Sequence, residues 1–394
     1  MHIAFLTPEY SHPSIPKSAG IGTSIKNLVT SLHKSGNDIT IFIYDQPVQE
    51  IIDDNGVKIH RIKRIKYKFF GWYLYRKHIE KYCSKIIKQE NIAIIEAADW
   101  TGITAFMHFK IPLVIRFHGS DTYFCHLENR KQKLKNFWFE KLAINKAQAF
   151  IAPTTFAGEV SKRLFKIKGK EIKTIHNGLN LQSFENEKPE EFETNLILYA
   201  GTLIRKKGVL ELPKIFKEVQ TDFPDAKLIL IGGDAPDIKT DSKSTWELMK
   251  TLFAVDGLKN VNYLGKIPYS EMQNYIKKAN VCVFPTFAET LGMVTIESMA
   301  MQKVVVNSNI GWSEELIIDG ESGFLVHPSN HDLYAKRIKQ VFEDRQLAQK
   351  IREGARARVE EKFDINKLLF DNIDFYQKII NLKKRESDNY LSSE

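Results

Sequence analysis

Cysteine is scarce in this chain. The 394 residues hold three, Cys83, Cys125 and Cys282. They lie far apart, each in an apolar or mixed segment, which argues against a disulfide scaffold or a zinc site and for reduced thiols in a cytoplasmic protein. Apolar runs are short too, none approaching the roughly 18 residues of a membrane-crossing helix. The opening Met-His-Ile-Ala-Phe-Leu-Thr-Pro lacks the basic head and cleavage site of a signal peptide and reads as a first core strand. After it, the tight G-x-G-x-x-G turn of a simple dinucleotide-binding dehydrogenase is missing; Gly20 and Gly22 come only after a long loop. No D-x-D motif occurs, so a metal-clamped diphosphate is not expected. Phosphate charge would fall to lysine, arginine and helix ends.

What the chain does have is size and alternation. At 394 residues it exceeds one ordinary core, and two domains are the natural division. Apolar content of 43% with 27% charged residues describes a soluble globular protein. Residues 1–190 hold 29 Lys/Arg against 18 Asp/Glu, a net of +11, whereas the remainder is net −2. Strand-like runs at Ile3–Leu6, Ile39–Tyr44, Ile92–Glu96, Leu113–Phe117 and Ala149–Ile151 alternate with helical patterns such as Ser24–His33 and Trp72–Gln89. The plan repeats with Leu196–Ala200, Lys227–Ile231, Val261–Leu264, Val281–Phe284 and Val304–Asn307. This alternation predicts an α/β protein of two doubly wound domains, each a parallel sheet with helices on both faces. Ligands of such sheets bind at the carboxyl ends of the strands. The acidic run Glu185–Glu193 between the halves reads as a solvated linker.

The most informative window runs from Val281 to Ala300. A buried strand ends at Pro285, and from about Leu291 the period becomes helical. Glu289 then sits in the loop before the helix, and Glu297 lies within it among Met293, Val294, Ile296 and Ala300. A carboxylate on so apolar a stretch is costly to bury unless something pairs with it. Helix-start amides between the two acids can receive an anion. Two acceptors flanking an anion site suit a ligand with hydroxyls at both ends and phosphate in the middle, the layout of a nucleotide sugar. The plainer alternative is that Glu289 caps the helix and Glu297 pairs with a basic core residue.

Glu289 and Glu297 resemble the Glu-x7-Glu element of the retaining glycosyltransferases of family 4, which have the GT-B fold of two facing Rossmann-like domains. The likeness runs over nearly the whole chain. It implies that Glu289 binds hydroxyls of the donor sugar and Glu297 those of the ribose, with the diphosphate between them on the amides of Leu291 and Gly292. Gly201-Thr-Leu-Ile-Arg-Lys-Lys-Gly208 resembles the family's G-R-L-x-x-x-K-G loop, and Lys207 matches the lysine that neutralises the diphosphate leaving group. The family arginine is Thr202 here, leaving Arg205 or Lys206 to supply its charge; the alternative is a solvated turn of three cations. Arg116-Phe-His-Gly-Ser-Asp121 resembles the segment that places a histidine, His118, beside the anomeric carbon. Gly20-Ile-Gly22 resembles the glycine loop that approaches the donor phosphate. Ile231-Gly-Gly-Asp234, with Gly232, and Tyr263-Leu-Gly-Lys-Ile-Pro268, with the backbone of Lys266 and Ile267, resemble the nucleotide-side loops. Gly311-Trp-Ser-Glu-Glu-Leu316 resembles G-G-x-P-E-L with Trp312 in place of a glycine. Asp99 and Trp100 are acceptor-side candidates. The likeness implies an acceptor domain over 1–185, a donor domain over 186–365, and a stretch 366–394 whose helix crosses back to the first.

The implied reaction moves a sugar from a nucleotide sugar, with UDP the first choice, to a saccharide or lipid-linked saccharide, retaining configuration by a same-face route. It needs no cofactor and no metal, and calls for domain closure to join His118 with Lys207. Between residues 61 and 88 there are ten Lys/Arg and a single acid, Glu80, interleaved with aromatics; Asn129–Phe139 is similar. That composition suits an anionic membrane surface, the inner leaflet; its plainer reading is a solvated basic face over core aromatics. No recognised nucleic-acid module accompanies it. The competing readings are an epimerase or phosphorylase of the same fold, or a nucleotide-sugar-binding protein without turnover, which Thr202 favours.

Overall fold

A computed structural model describes residues 1–15 and 20–391, with side chains described as far as residue 386. The chain forms two compact units, Met1–Gly178 joined by the helix that begins at Ile365, and Leu179–Asp364.

The first unit is built on eight strands: β1 (His2–Thr7), β2 (Asp38–Gln46), β3 (Glu50–Asp54), β4 (Val57–Lys63), β5 (Ile94–Ala98), β6 (Leu113–Arg116), β7 (Ala149–Ala152) and β8 (Ile172–Thr174). Their order in the sheet is β3-β4-β2-β1-β5-β6-β7-β8. All neighbours are parallel except β3 and β4, which form an antiparallel edge pair. Both faces of this sheet are covered, and so β1 reads as a continuous apolar run rather than an alternating one. Ile3 and Phe5 pack beneath helix α1 (Gly20–Lys34) and the last helix (Ile365–Leu391), while Ala4 and Leu6 face helix α2 (Gly71–Gln89).

The last helix is tied down by more than apolar contact. Arg116, at the end of β6, makes a two-point ion pair with Glu96 of β5, at 2.8 and 3.0 Å. The same guanidinium donates to Asn372 Oδ1 at 2.7 Å, and Tyr376 donates to Glu96 at 2.6 Å. All four side chains are buried.

The second unit has six strands, β9 (Leu196–Ala200), β10 (Lys227–Ile231), β11 (Val261–Tyr263), β12 (Val281–Phe284), β13 (Val304–Asn307) and β14 (Phe324–Leu325), all parallel, in the order β11-β10-β9-β12-β13-β14. In both sheets the order reverses beside the first strand, between β1 and β5 and between β9 and β12. Loops that leave such a switch point diverge to opposite faces and open a crevice at the strand ends.

Two sequence expectations need correction. The run Glu185–Glu193 is no free linker, because the second unit already begins at Leu179. Phe184 is buried, its carbonyl accepts from Arg356 at 3.0 Å, and the Phe192 ring lies 5.4 Å from the Lys303 ammonium and 5.5 Å from the Arg352 guanidinium. The acidic side chains stay outside while the two phenylalanines pin the backbone. The basic segment from Arg61, in turn, begins inside β4: Arg61 is buried and pairs with Glu50 across the β3–β4 hairpin.

Candidate active site

In the second unit the switch-point loops carry the donor-side candidates. After β9 the chain turns through Gly201 and a short 3-10 turn, Arg205–Lys207, that ends at Gly208. Gly208 has φ +67°, and a Cβ there would lie 1.6 Å from the Pro285 carbonyl oxygen, so only glycine allows this loop to lie against the end of β12. The contact is fastened by backbone: the amides of Phe287 and Ala288 donate to the Lys206 carbonyl at 2.8 and 3.3 Å. Lys207 and Glu289 therefore meet as an ion pair. Burial drives the Glu289 carboxyl upward, but the Lys207 ammonium and the Thr290 amide at 3.0 Å more than reverse this, leaving its pKa below the ordinary value.

A small pocket, open to solvent, lies at this pair, bounded by Tyr199, Lys207, Phe284, Glu289, Asn307 and Trp312. Leu291 and Gly292 line it as well. Gly292, with φ +95°, precedes the helix Met293–Ala300, whose start is two residues later than the sequence period suggests. Trp312, standing where the motif has glycine, is 1% exposed and walls the pocket.

Glu297 is buried on that helix, 5% exposed. The sequence alternative paired it with a core cation; instead the Tyr269 hydroxyl donates to it at 2.6 Å. A phenol offsets little of the desolvation cost, and burial pushes the Glu297 carboxyl up to about 7. Nothing in the sequence pointed to Tyr269, which acts across 28 positions.

The nucleotide-side loops are laced together. Gly201 and Gly232 approach so closely that a Cβ on Gly232 would sit 1.9 Å from the Gly201 oxygen, and the Gly232 amide donates to Gly265 at 2.8 Å. Lys266 is exposed and Ile267 half-buried. Arg205, expected to face the donor, is held instead by Asp237, through Nε at 2.8 Å and Nη2 at 2.6 Å, so its charge is already matched.

In the first unit, His118 follows β6 and sits in a loop fastened by two buried carboxylates. Asp99, at the end of β5, accepts the amides of His118 at 2.9 Å and Gly119 at 3.3 Å. Glu140 accepts those of Asp121 at 2.8 Å and Thr122 at 3.1 Å. Asp99 was expected on the acceptor side; its carboxylate is committed to this loop, and only Trp100 beside it is exposed, at 46%. Burial, with the Arg116 guanidinium second, lowers the His118 pKa to about 3, so the imidazole is neutral. Gly20 and Gly22 open α1, and the Gly22 amide already donates to the Glu9 carboxylate at 2.8 Å. That glutamate, close to the end of β1, was not anticipated.

Two parallel doubly wound units, with the lysine–glutamate pair at the switch point of the second, define a GT-B protein. Two family models match in succession, Glycosyltransferase Family 4 over residues 18–183 and Glycosyl transferases group 1 over residues 182–358. An uncharacterized glycosyltransferase of Methanocaldococcus jannaschii is 26% identical over 352 residues, covering 87% of this chain and 91% of that one. The capsular polysaccharide biosynthesis glycosyltransferase CapM of Staphylococcus aureus is 28% identical over 195 residues, covering 48% and 49%. Among solved structures, Anabaena HepE in complex with UDP and glucose superposes with a TM-score of 0.70 over 95% of this chain and 99% of its own, at 18% identity, a likeness of fold. The chain belongs to the family 4 type of GT-B glycosyltransferases. Its activity is that of a glycosyltransferase.

Proposed function

We propose that this enzyme takes its sugar from a nucleotide sugar, with UDP as the first base to try, and passes it with retained configuration to a saccharide or lipid-linked saccharide. The observation that carries the donor assignment is the Lys207–Glu289 pair at an open pocket, with buried Glu297 on the helix that follows. HepE, which shares the fold, binds UDP and glucose. Donor entry would exchange the internal ion pair for two better-matched contacts: phosphate oxygens on Lys207, sugar hydroxyls on Glu289. Leu291 and Gly292, at the helix start, would add backbone donors to the phosphate.

On the same-face route the anomeric carbon–phosphate bond breaks and the acceptor oxygen bonds to that carbon. The acceptor proton goes to the departing phosphate. Lys207 offsets the charge that develops there, and neutral His118 donates to the sugar or its hydroxyls without changing charge. No metal enters this scheme, since lysine and helix amides take the phosphate charge.

Calorimetric titration with UDP, GDP and ADP tests the donor site. One nucleotide is expected to bind in the micromolar range, and Glu297→Ala to weaken it by tenfold or more, about 1.4 kcal/mol. If none binds, or the substitution changes nothing, Glu297 is structural and the assignment fails. Nucleotide release that depends on an added acceptor separates the transferase from an epimerase, a phosphorylase or a binding protein.

A pH dependence follows from the Glu297 carboxyl at about 7. A charged carboxylate accepts ribose hydroxyls more strongly than a protonated acid, so nucleotide affinity should rise as pH passes upward through that value. In Glu297→Gln this rise should vanish, leaving only the titration of the nucleotide itself. An identical profile in both proteins would remove Glu297 from the ribose. The stability contribution has the opposite sense. The folded pKa lies above the unfolded one, so this group favours the folded state most below the ordinary carboxylate pKa, and that contribution is lost as pH rises through about 7.

Among the described residues no helix is long and apolar enough to cross a membrane. Contact with the inner leaflet would therefore be peripheral, and the cation- and aromatic-rich surface of the first unit is where it would occur.

A further inference from the structure

The pocket at the Lys207–Glu289 pair is charged at one end and apolar at the other. The pair keeps contact with solvent, its side chains 25% and 18% exposed. The rest of the lining is dominated by carbon. Tyr199, Phe284 and Trp312 are buried, and Val294 adds an aliphatic side chain. The Tyr199 and Phe284 rings, from the neighbouring strands β9 and β12, lie 6.4 Å apart. Trp312 stands where the motif it resembles has glycine, so a large ring takes up room at this wall.

The polar groups of that wall are already committed to the protein. The Tyr199 hydroxyl donates to the Thr202 carbonyl at 3.1 Å, tucked under the Gly201 turn, where a Cβ would stand 2.9 Å from it. Asn307 is buried; it donates to Thr295 Oγ1 at 3.1 Å and accepts the Ser308 amide at 2.8 Å. Among the described residues, none of the buried side-chain nitrogen and oxygen atoms that lack a partner lines this pocket. A sugar hydroxyl carried past the ion pair would leave water for a wall with no waiting partner, at a cost in free energy. A C–H group in the same place would gain from burial.

Phosphate on Lys207 and ring hydroxyls on Glu289 leave one arm of a hexose to reach further, the exocyclic carbon C6. We infer that the donor sugar is a 6-deoxyhexose, whose methyl group is received by Trp312, Phe284 and Val294. The inference rests on the donor-site reading above, and its test separates the two.

The full chain is titrated calorimetrically with the free nucleoside diphosphate and with its glucose, 6-deoxyglucose and xylose esters, which differ only at C6. The galactose series repeats the comparison with the other configuration at C4. In one series the 6-deoxy sugar should bind tenfold or more tighter than the parent hexose, the usual scale on which an apolar pocket resists an added hydroxyl. The pentose, lacking the methyl group, should bind about fourfold more weakly than the 6-deoxy sugar. Val294→Thr, which sets a hydroxyl in the wall at little change in volume, should cut the preference to threefold or less. Trp312→Gly should do the same by opening the wall; should it fail to fold, Val294→Thr carries the test alone. A parent hexose that binds as tightly as its 6-deoxy form in both series overturns the inference and leaves the donor site standing. So does a preference that persists undiminished in Val294→Thr. If no nucleotide binds at all, the donor-site reading fails and the inference falls with it.

Discussion

Lys207→Ala is expected to lower acceptor-dependent nucleotide release about 10²–10³-fold in kcat, the usual cost of losing one preorganised group at a developing negative charge. The loss should fall on kcat more than on KM, because charge grows on the phosphate as the sugar leaves. A second signature separates this from simple misfolding. In the wild type Lys207 holds the Glu289 carboxyl below its ordinary pKa against the pull of burial. That depressed group stabilises the fold above the unfolded carboxylate pKa, and the contribution is lost only as pH falls through the lower folded value. Without Lys207, only the Thr290 amide and the Lys206 charge oppose burial, and the Glu289 pKa moves up. The variant should therefore lose residual activity on the acid side at a higher pH than the wild type does. An unchanged kcat would remove Lys207 from the leaving-group site. A lowered kcat with an unmoved acid limb would mean that the ion pair does not govern Glu289.

The second large effect is on stability. Glu96→Ala leaves the Arg116 guanidinium, 2% exposed, without its carboxylate. Removing one partner of a buried ion pair costs about 3–5 kcal/mol, mostly from the stranded charge. The loss should be confined to the first unit and should release the last helix, since Tyr376 also loses its acceptor. Urea unfolding followed together with limited proteolysis reads both: the first unit should unfold earlier, with early cleavage in residues 365–386, while residues 179–364 keep their protection. Changing both partners together, Glu96→Leu with Arg116→Met, should recover part of the loss, because no uncompensated charge remains. If Glu96→Ala costs less than about 1 kcal/mol, the network is incidental to docking of the helix.

The helical period also foreshadowed α2, expected from Trp72 and observed from Gly71 to Gln89. The strand runs at β9, β10, β12 and β13 fall on the residues their apolar, β-branched composition indicated, because central parallel strands are buried on both faces and carry little else. β3 and β4 escaped notice because an edge hairpin is half polar: Glu50, Asp53, Asp54 and Lys58 interrupt the pattern. β8 and β14 are too short for periodicity to register. Among site residues, the motifs indicated Lys207, Glu289, Glu297 and His118 as candidates. They gave no sign of Tyr269, which donates to Glu297, or of Glu140, which fastens the loop after His118, nor of Asp237, the partner of Arg205.

What the sequence determined alone is local: where the apolar runs lie, where glycine permits a turn, and which residue types stand at the strand ends. Those are properties of short windows, where backbone sterics and burial on one element decide the outcome. Only the tertiary structure decided the pairings. Lys207 and Glu289 stand 82 positions apart and meet because β9 and β12 are neighbours in the sheet and Gly208 lets one loop rest on the other. Arg116 and Tyr376 stand 260 apart and meet because the last helix returns to the first sheet. Charge state follows contact rather than type: Glu289 lies beside an ammonium and is held ionised, whereas Glu297, eight residues on, lies beside a phenol and is driven toward protonation.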